Sequence, residues 1–314
     1  MPSLSVIVPI YNSEKGISRC LDSILAQEAP KIEIVLVDDG SEDGSEDIIK
    51  EYQKNHTNIA YYKKEHTGVA DTRNFGMAKA KGDYIFFVDS DDYIDTQLLK
   101  RIEYYIEQKI DVIKFKLART NEAGDILEKV PGAIFDKVDG EEAFKRLYST
   151  DVLLDSPCVY LFKRDYIQKN GFQFNVGTYH EDFGLIPIIL IHADSVVSLD
   201  YYAYFYVQSS QSITRNTDYT KTIQKMKDSL AQYDIMLEKI KPLNLGKEAE
   251  ENIKIYYTNA IIQKLKELNI KEQNEFIHEI KKRKMIRNIK VRDVRQLVKR
   301  IVLSLSIRWY LKRH

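Results

Sequence analysis

The sequence predicts an α/β protein: a mostly parallel sheet with helices on both faces, followed by a helical C-terminal region. Three observations carry this. Up to about residue 118, short apolar runs alternate with amphipathic stretches of helical length. The runs at 4–9 and 84–88 are apolar almost throughout, the pattern of strands covered on both faces rather than one. Beyond about 217 only helical spacing remains.

Taken in order, residues 4–9 read as a strand, 13–27 as a helix and 32–37 as a second strand. Residues 45–55 read as a helix, with Ser45 as its cap and acids in its first turn. A strand follows at 59–62, a helix at 69–80, a strand at 84–88, a helix at 95–108 and a strand at 112–117. From 119 to 215 the pattern loosens. It holds a turn at 121–125 between short strands, helices at 140–148 and 183–192, and strands at 196–199 and 204–207. Four helices are expected at 218–240, 246–268, 271–284 and 291–311, with a boundary near 216. The domains are therefore 1–216, divided at 118, and 217–314.

The 314 residues, 44% hydrophobic, suit one large domain with an appendage or two domains, and exclude a disordered chain. Two separated cysteines, Cys20 and Cys158, suit a reducing cytoplasm rather than a disulfide framework. The first residues resemble a strand and not a signal peptide, and no run reaches the roughly 18 apolar residues of a membrane span. The expected location is cytoplasmic. Residues 281–314 hold 13 of the 47 Lys and Arg but one of the 47 Asp and Glu. That leaves 34 against 46, a net of −12, in residues 1–280. An acidic body with a basic tail implies two roles in two places.

Ligands of open parallel sheets bind beyond the carboxyl ends of the strands. Here the first strand ends in Pro9-Ile10-Tyr11-Asn12, the second in Val37-Asp38-Asp39-Gly40-Ser41 and the fourth in Val88-Asp89-Ser90-Asp91-Asp92. Asp38-Asp39 alone could be a turn. Three carboxylates within four residues repel one another unless a positive charge offsets them. A hard divalent cation does so with oxygen ligands, and keeps positions open for phosphate. A solvated acidic turn is the plainer alternative. There is no GxGxxG or Walker loop, so phosphates here would need the metal and basic side chains such as Arg73. The six histidines include no HxxxH pair, which disfavours zinc.

Pro-Ile-Tyr-Asn, Val-Asp-Asp-Gly-Ser, Gly68-Val-x-x-x-Arg73-Asn74-x-Gly76 and Asp-Ser-Asp-Asp, in this order and spacing, resemble the inverting family 2 glycosyltransferases. The likeness is dense over 3–95 and continues to about 215. It implies a GT-A fold, with a nucleotide-sugar-binding half at 1–118 and an acceptor half at 119–216. It also implies a donor site of Pro9, Tyr11, Asp39, Arg73, Asp89, Ser212 and Arg215. Tyr11 would stack on the base, Asp39 would accept from a uracil imide, and Arg73 would contact the nucleotide or its diphosphate. Asp89 and Asp91 would hold Mn²⁺ or Mg²⁺, with Asp92 behind them. In His180-Glu181-Asp182-Phe183, the resemblance implies Asp182 as catalytic base and Glu181 as its neighbour. An inverting displacement needs such a base to deprotonate the acceptor hydroxyl. A helix-terminal acidic pair is the structural alternative.

Two departures stand out. Gln208 occupies a place where a basic residue or histidine is expected. Cys158-Val159-Tyr160-Leu161-Phe162-Lys163-Arg164 replaces a Trp-Asn-Lys-Leu-Tyr-Lys-Arg-like stretch, removing an aromatic and an amide from the sugar pocket.

The function expected is transfer from a nucleotide-sugar, a UDP-sugar first, to a hydroxyl of a bacterial surface glycan or lipid-linked glycan. The alternatives are a polyprenyl-phosphate sugar transferase, and a binding or scaffold protein without chemistry. In the tail, Val294, Leu297, Val298, Ile301, Leu305 and Trp309 recur at helical spacing among basic residues. This suits peripheral contact with anionic membrane through 291–314 at the inner face of the cell membrane, or packing on the acidic body. A nucleic-acid arm is disfavoured.

Overall fold

The structure, a computed structural model, describes residues 3–27, 32–148, 154–208, 219–289, 300–303 and 307. Every residue of β1 (Leu4–Ile10) is buried, so this strand lies inside the sheet with both faces covered. It pairs in parallel with β2 (Ile32–Asp38) on one side and β4 (Tyr84–Phe87) on the other, and β2 pairs in parallel with β3 (Ile59–Lys63). The helices α1 (Ile17–Leu25) and α2 (Ser45–Asn55) link these strands outward from β1, and α3 (Val69–Lys79) returns the chain to β4. Right-handed crossovers that reverse direction put α3 on the opposite face from α1 and α2. The reversal occurs at β1, where an open α/β sheet binds its ligands. Gly76 lets α3 lie directly on β1, for a Cβ there would run into the Ile7 side chain.

Beyond β4 come β5 (Tyr93–Ile94), α4 (Leu98–Glu107), β6 (Val112–Thr120), β7 (Ile126–Lys129), β8 (Phe135–Val138) and α5 (Gly140–Leu147). After these come β9 (Tyr160–Lys163), α6 (Arg164–Lys169), α7 (Ile186–His192) and β10 (Val196–Val207). The sheet order is β3-β2-β1-β4-β9-β6-β10-β5, with β7 on β6 and β8 on β10. The parallel expectation holds from β3 to β4. β9 then enters antiparallel between β4 and β6, so the whole sheet is mixed and runs continuously from 4 to 207.

Three local expectations are corrected. Ser45 caps no helix: Gly44 holds that position, and the buried Ser45 hydroxyl accepts from Ser13 N (2.8 Å) and donates to Asp43 Oδ1 (2.5 Å). The helix expected from 183 starts only at Ile186, because 182–185 form the turn that delivers the acidic pair. Residues 196–199 and 204–207 belong to one strand, β10, whose register shifts near Tyr202 where two strands had been read.

The C-terminal region contains α8 (Tyr219–Ile240), α9 (Lys247–Lys264) and α10 (Ile270–Lys282). Met226, Leu230, Tyr233 and Met236 are buried along one face of α8, and Ile253, Tyr257 and Ile261 are buried in α9. All join the same hydrophobic core as the sheet. The expected helix at 291–311 lies outside the described residues except at 300–303 and 307. Of these, Leu303 and Ile307 are buried in that core, while Ile301 is exposed. Among the described residues no helix is long and apolar enough to cross a membrane.

Candidate active site

The carboxyl ends of β1, β2 and β4 converge, and Asp38 and Asp39 divide the work of the second end between them. Asp38 is fully buried and accepts from Ser41 N (2.8 Å) and from the Tyr61 hydroxyl (2.7 Å), so it builds the turn. Asp39, also buried, is surrounded by partners from the loop after β3: Thr67 N (2.9 Å) and Lys64 Nζ on Oδ1, Gly68 N (2.8 Å) and His66 Nδ1 (2.9 Å) on Oδ2. Burial works to raise its pKa. The bonds from Lys64, Thr67 and Gly68 outweigh it and hold the carboxyl below its usual range. Tyr11 is 46% exposed, and its ring stacks on His66 with centroids 4.3 Å apart. Pro9, expected in the donor site, is buried within β1 opposite Val37, two residues before Tyr11.

Arg73 is the centre of the arrangement. Its guanidinium is buried and reaches Asp89 Oδ1 (3.0 Å) from the first half and Glu181 Oε1 (2.5 Å) from the second. It lies 5.6 Å from the Phe174 ring centroid, and its Nε is buried without a partner. Next to it, the Asn74 amide donates to the Phe174 carbonyl and accepts from Phe174 N, both at 2.9 Å. The Arg-Asn pair therefore ties α3 to the segment that leads to Glu181 and Asp182.

On the loop after β4 the three aspartates differ. Asp92 is buried and accepts from the Tyr204 hydroxyl (2.6 Å) and Val207 N (2.7 Å), fastening the loop to β10. Asp89 is partly exposed between Arg73 and the Cys158 thiol (3.6 Å from Oδ2). The Asp91 side chain reaches solvent, while its carbonyl accepts from Arg19 Nη2 (2.6 Å). Crowding by the surrounding protein, then the charge of Asp89, push the Asp91 carboxyl up. Asp89 and Asp91 offer hard oxygen donors whose repulsion a divalent cation would relieve. Among the described residues, no group of three His, Cys, Asp or Glu is placed to hold a metal. Two carboxylates alone would leave the remaining positions of such a cation to a substrate.

Glu181 and Asp182 follow His180, whose φ of +59° starts a tight turn. Asp182 Oδ1 accepts from Phe183 N (2.7 Å). Burial, then the charges of Asp155 and Glu181, push its carboxyl up to about 8, against the pull of Arg73. Burial, then Lys264 and Lys225, push His180 down to about 3, which keeps it neutral. Ser212 and Arg215 lie outside the described residues. The structure thus brings together Tyr11, Asp39, Arg73, Asp89, Asp91, Glu181 and Asp182.

The family model for glycosyl transferase family 2 matches residues 5–171, just over half of the chain. The chain belongs to glycosyl transferase family 2. Its relatives include the glycosyltransferase GlyA of Streptococcus pneumoniae, 30% identical over 262 residues, 81% of this chain and 36% of GlyA. The uncharacterized glycosyltransferase EpsJ of Bacillus subtilis is 30% identical over 68% of this chain and 63% of its own length. The chain therefore spans between about a third and two thirds of these relatives. The poly(ribitol-phosphate) β-N-acetylglucosaminyltransferase TarS of Staphylococcus aureus is 37% identical over 145 residues, 45% of this chain and 24% of TarS. The crystal structure of TarS 1–349 with UDP-GlcNAc superposes with a TM-score of 0.58 at 22% identity, covering 84% of this chain and 81% of that one. The expected GT-A architecture is the observed one.

Two features of this family 2 chain escaped the sequence reading. Lys64 and His66 follow β3, and the basic run Lys63-Lys64-Glu65-His66 at the end of that strand is their signal in the sequence. Asp155 and Lys264 interact electrostatically with Asp182 from positions 27 residues before it and 82 after it; no local pattern marks them.

Proposed function

We propose that this chain is a metal-dependent inverting glycosyltransferase that moves a sugar from a UDP-sugar to an acceptor hydroxyl of a surface glycan or lipid-linked glycan. The observation that carries this reading is the Asp89–Arg73–Glu181 bridge, which sets the carboxylates of the donor half beside Asp182 of the acceptor half. Tyr11 presents an open aromatic face for the base. Asp39 reads a uracil N–H once Lys64 or His66 yields one of the four donor positions. TarS 1–349, which has the same fold, forms a complex with UDP-GlcNAc, which supports a nucleotide-sugar donor here.

Asp89 and Asp91 would hold Mn²⁺ or Mg²⁺, supplying charge stabilisation to the departing nucleoside diphosphate. Asp182 takes the acceptor proton as the hydroxyl oxygen bonds to the anomeric carbon and the bond from that carbon to the diphosphate oxygen breaks. Glu181, held by Arg73, keeps the adjacent Asp182 in place. Peripheral contact with anionic membrane through 291–314 belongs to the same reading. It is supported by the basic groove that Arg300 forms with Lys281, Lys284 and Arg287, which precede that region.

The deciding experiment incubates the chain with UDP-sugars and MnCl₂ and follows UDP release, for wild type and Asp182→Asn. Release by wild type that the variant loses, with UDP binding intact, is the expected result. Undiminished release by the variant would remove Asp182 from the mechanism.

A further inference from the structure

The segment that carries the acidic pair is held from the C-terminal side. Tyr179 N donates to Asp228 Oδ2 (2.9 Å) and Gln232 Nε2 donates to Thr178 Oγ1 (2.8 Å), both partners on α8. From α9, the Tyr257 hydroxyl donates to the Phe183 carbonyl. Gly184 lies so close to Gln232 that a Cβ would overlap its amide. At the last turn of α9, Lys264 Nζ stands 5.4 Å from the Phe183 ring centroid and donates to Ser229 Oγ (3.1 Å). A half-buried ammonium is costly to desolvate unless negative charge offsets it. Burial pushes Lys264 down to about 8, and the opposing fields of Asp155 and Asp182 keep it from falling further.

We propose that the C-terminal helices complete the active site, and that Lys264 is a positioning residue whose ammonium offsets the Asp155–Asp182 carboxylate pair beside the reacting hydroxyl. This rests on the reading of Asp182 as the base. Asp182 is faced by Glu181 on its own segment, Arg73 on α3 and Asp155 on the turn before Pro157. Tyr256 and Tyr257 approach it from α9. Lys264 is faced in turn by Asp155, Asp182, Glu267, Lys225 from α8, and His180. Asp155 raises Asp182, and the Lys264 ammonium, opposite in charge and placed beside Phe183, is expected to lower it, a pair of signs no purely structural role would reproduce.

The test is a ¹³C-carboxyl NMR titration of the full chain labelled at aspartate, with the Asp182 signal assigned from its loss in Asp182→Asn. Lys264→Met and Lys264→Gln should each move the Asp182 midpoint up by about one pH unit. Lys264→Arg should leave it at the wild-type value, and Asp155→Asn should move it down. Thermal melts confirm that the variants fold. An Asp182 midpoint unmoved in a folded neutral variant at 264, or moved the same way by the changes at 155 and 264, overturns the proposal. If Asp182→Asn retains full UDP release while the titrations shift as expected, the base assignment fails and the charge coupling stands.

Discussion

A carboxylate takes a proton only in its ionised form, and burial with Asp155 and Glu181 holds Asp182 protonated until the pH approaches 8. The ionised fraction grows as pH rises, so kcat/KM of the free enzyme should climb on its acid side toward a midpoint near 8 and level off above it. A profile that is flat from pH 6 to 9 contradicts a single base at this position. Asp182→Asn should lower turnover by about 10²–10⁴-fold while leaving UDP affinity intact, since an amide accepts no proton. Asp91 differs from its neighbours in having its carboxylate at the solvent edge of the loop. Asp91→Ala should abolish the divalent-ion dependence of UDP binding measured by calorimetry. Unchanged UDP affinity in EDTA for the wild type would remove the metal from donor binding.

Among the elements, α3 does most to connect sequence motif with site geometry. The two residues just before it deliver Thr67 N and Gly68 N to Asp39, its second turn delivers Arg73 and Asn74 to the acceptor half, and Gly76 seats it on β1. Gly76→Ala should cost about 1–3 kcal/mol, because the added methyl meets the buried Ile7 side chain. A urea midpoint equal to wild type would show that α3 shifts to accommodate it. The spacing Gly-Val-x-x-x-Arg-Asn-x-Gly is thus a packing requirement as much as a chemical one. β9 has a comparable role. By entering antiparallel it makes one sheet of the two halves and carries Cys158, just ahead of it, to Asp89.

At the scale of the molecule, the boundary expected near 216 marks a change of secondary structure but not of core, since α8 and α9 bury their apolar faces against the sheet domain. Leu303 and Ile307 are buried in that core too, which answers part of the question the basic tail posed. Truncation after Met285 should therefore lower the melting temperature, the exposed core losing on the order of 1.5–3 kcal/mol for each large apolar side chain. Binding to anionic vesicles, compared for full-length and truncated chain at low and high salt, tests the other role. Equal pelleting of both forms would leave the tail as packing alone.

The family resemblance marked Glu181 and Asp182; periodicity and strand-end chemistry by themselves determined the early strands and helices and the convergence of Tyr11, Asp39, Asp89 and Asp91. These are legible because each rests on neighbours in the chain: an apolar run, then polar residues where the strand stops. Only the tertiary structure decided that Asp38 and Asp92 are structural rather than ligand-facing, and that Arg73 bridges the two halves. The same holds for Ser45, which serves a loop and not a cap, and for Lys264, which comes beside Phe183 from the last helix turn of α9. A charged side chain's role depends on which partners lie within a few ångströms, and those partners come from residues scores of positions away. No window of sequence contains them.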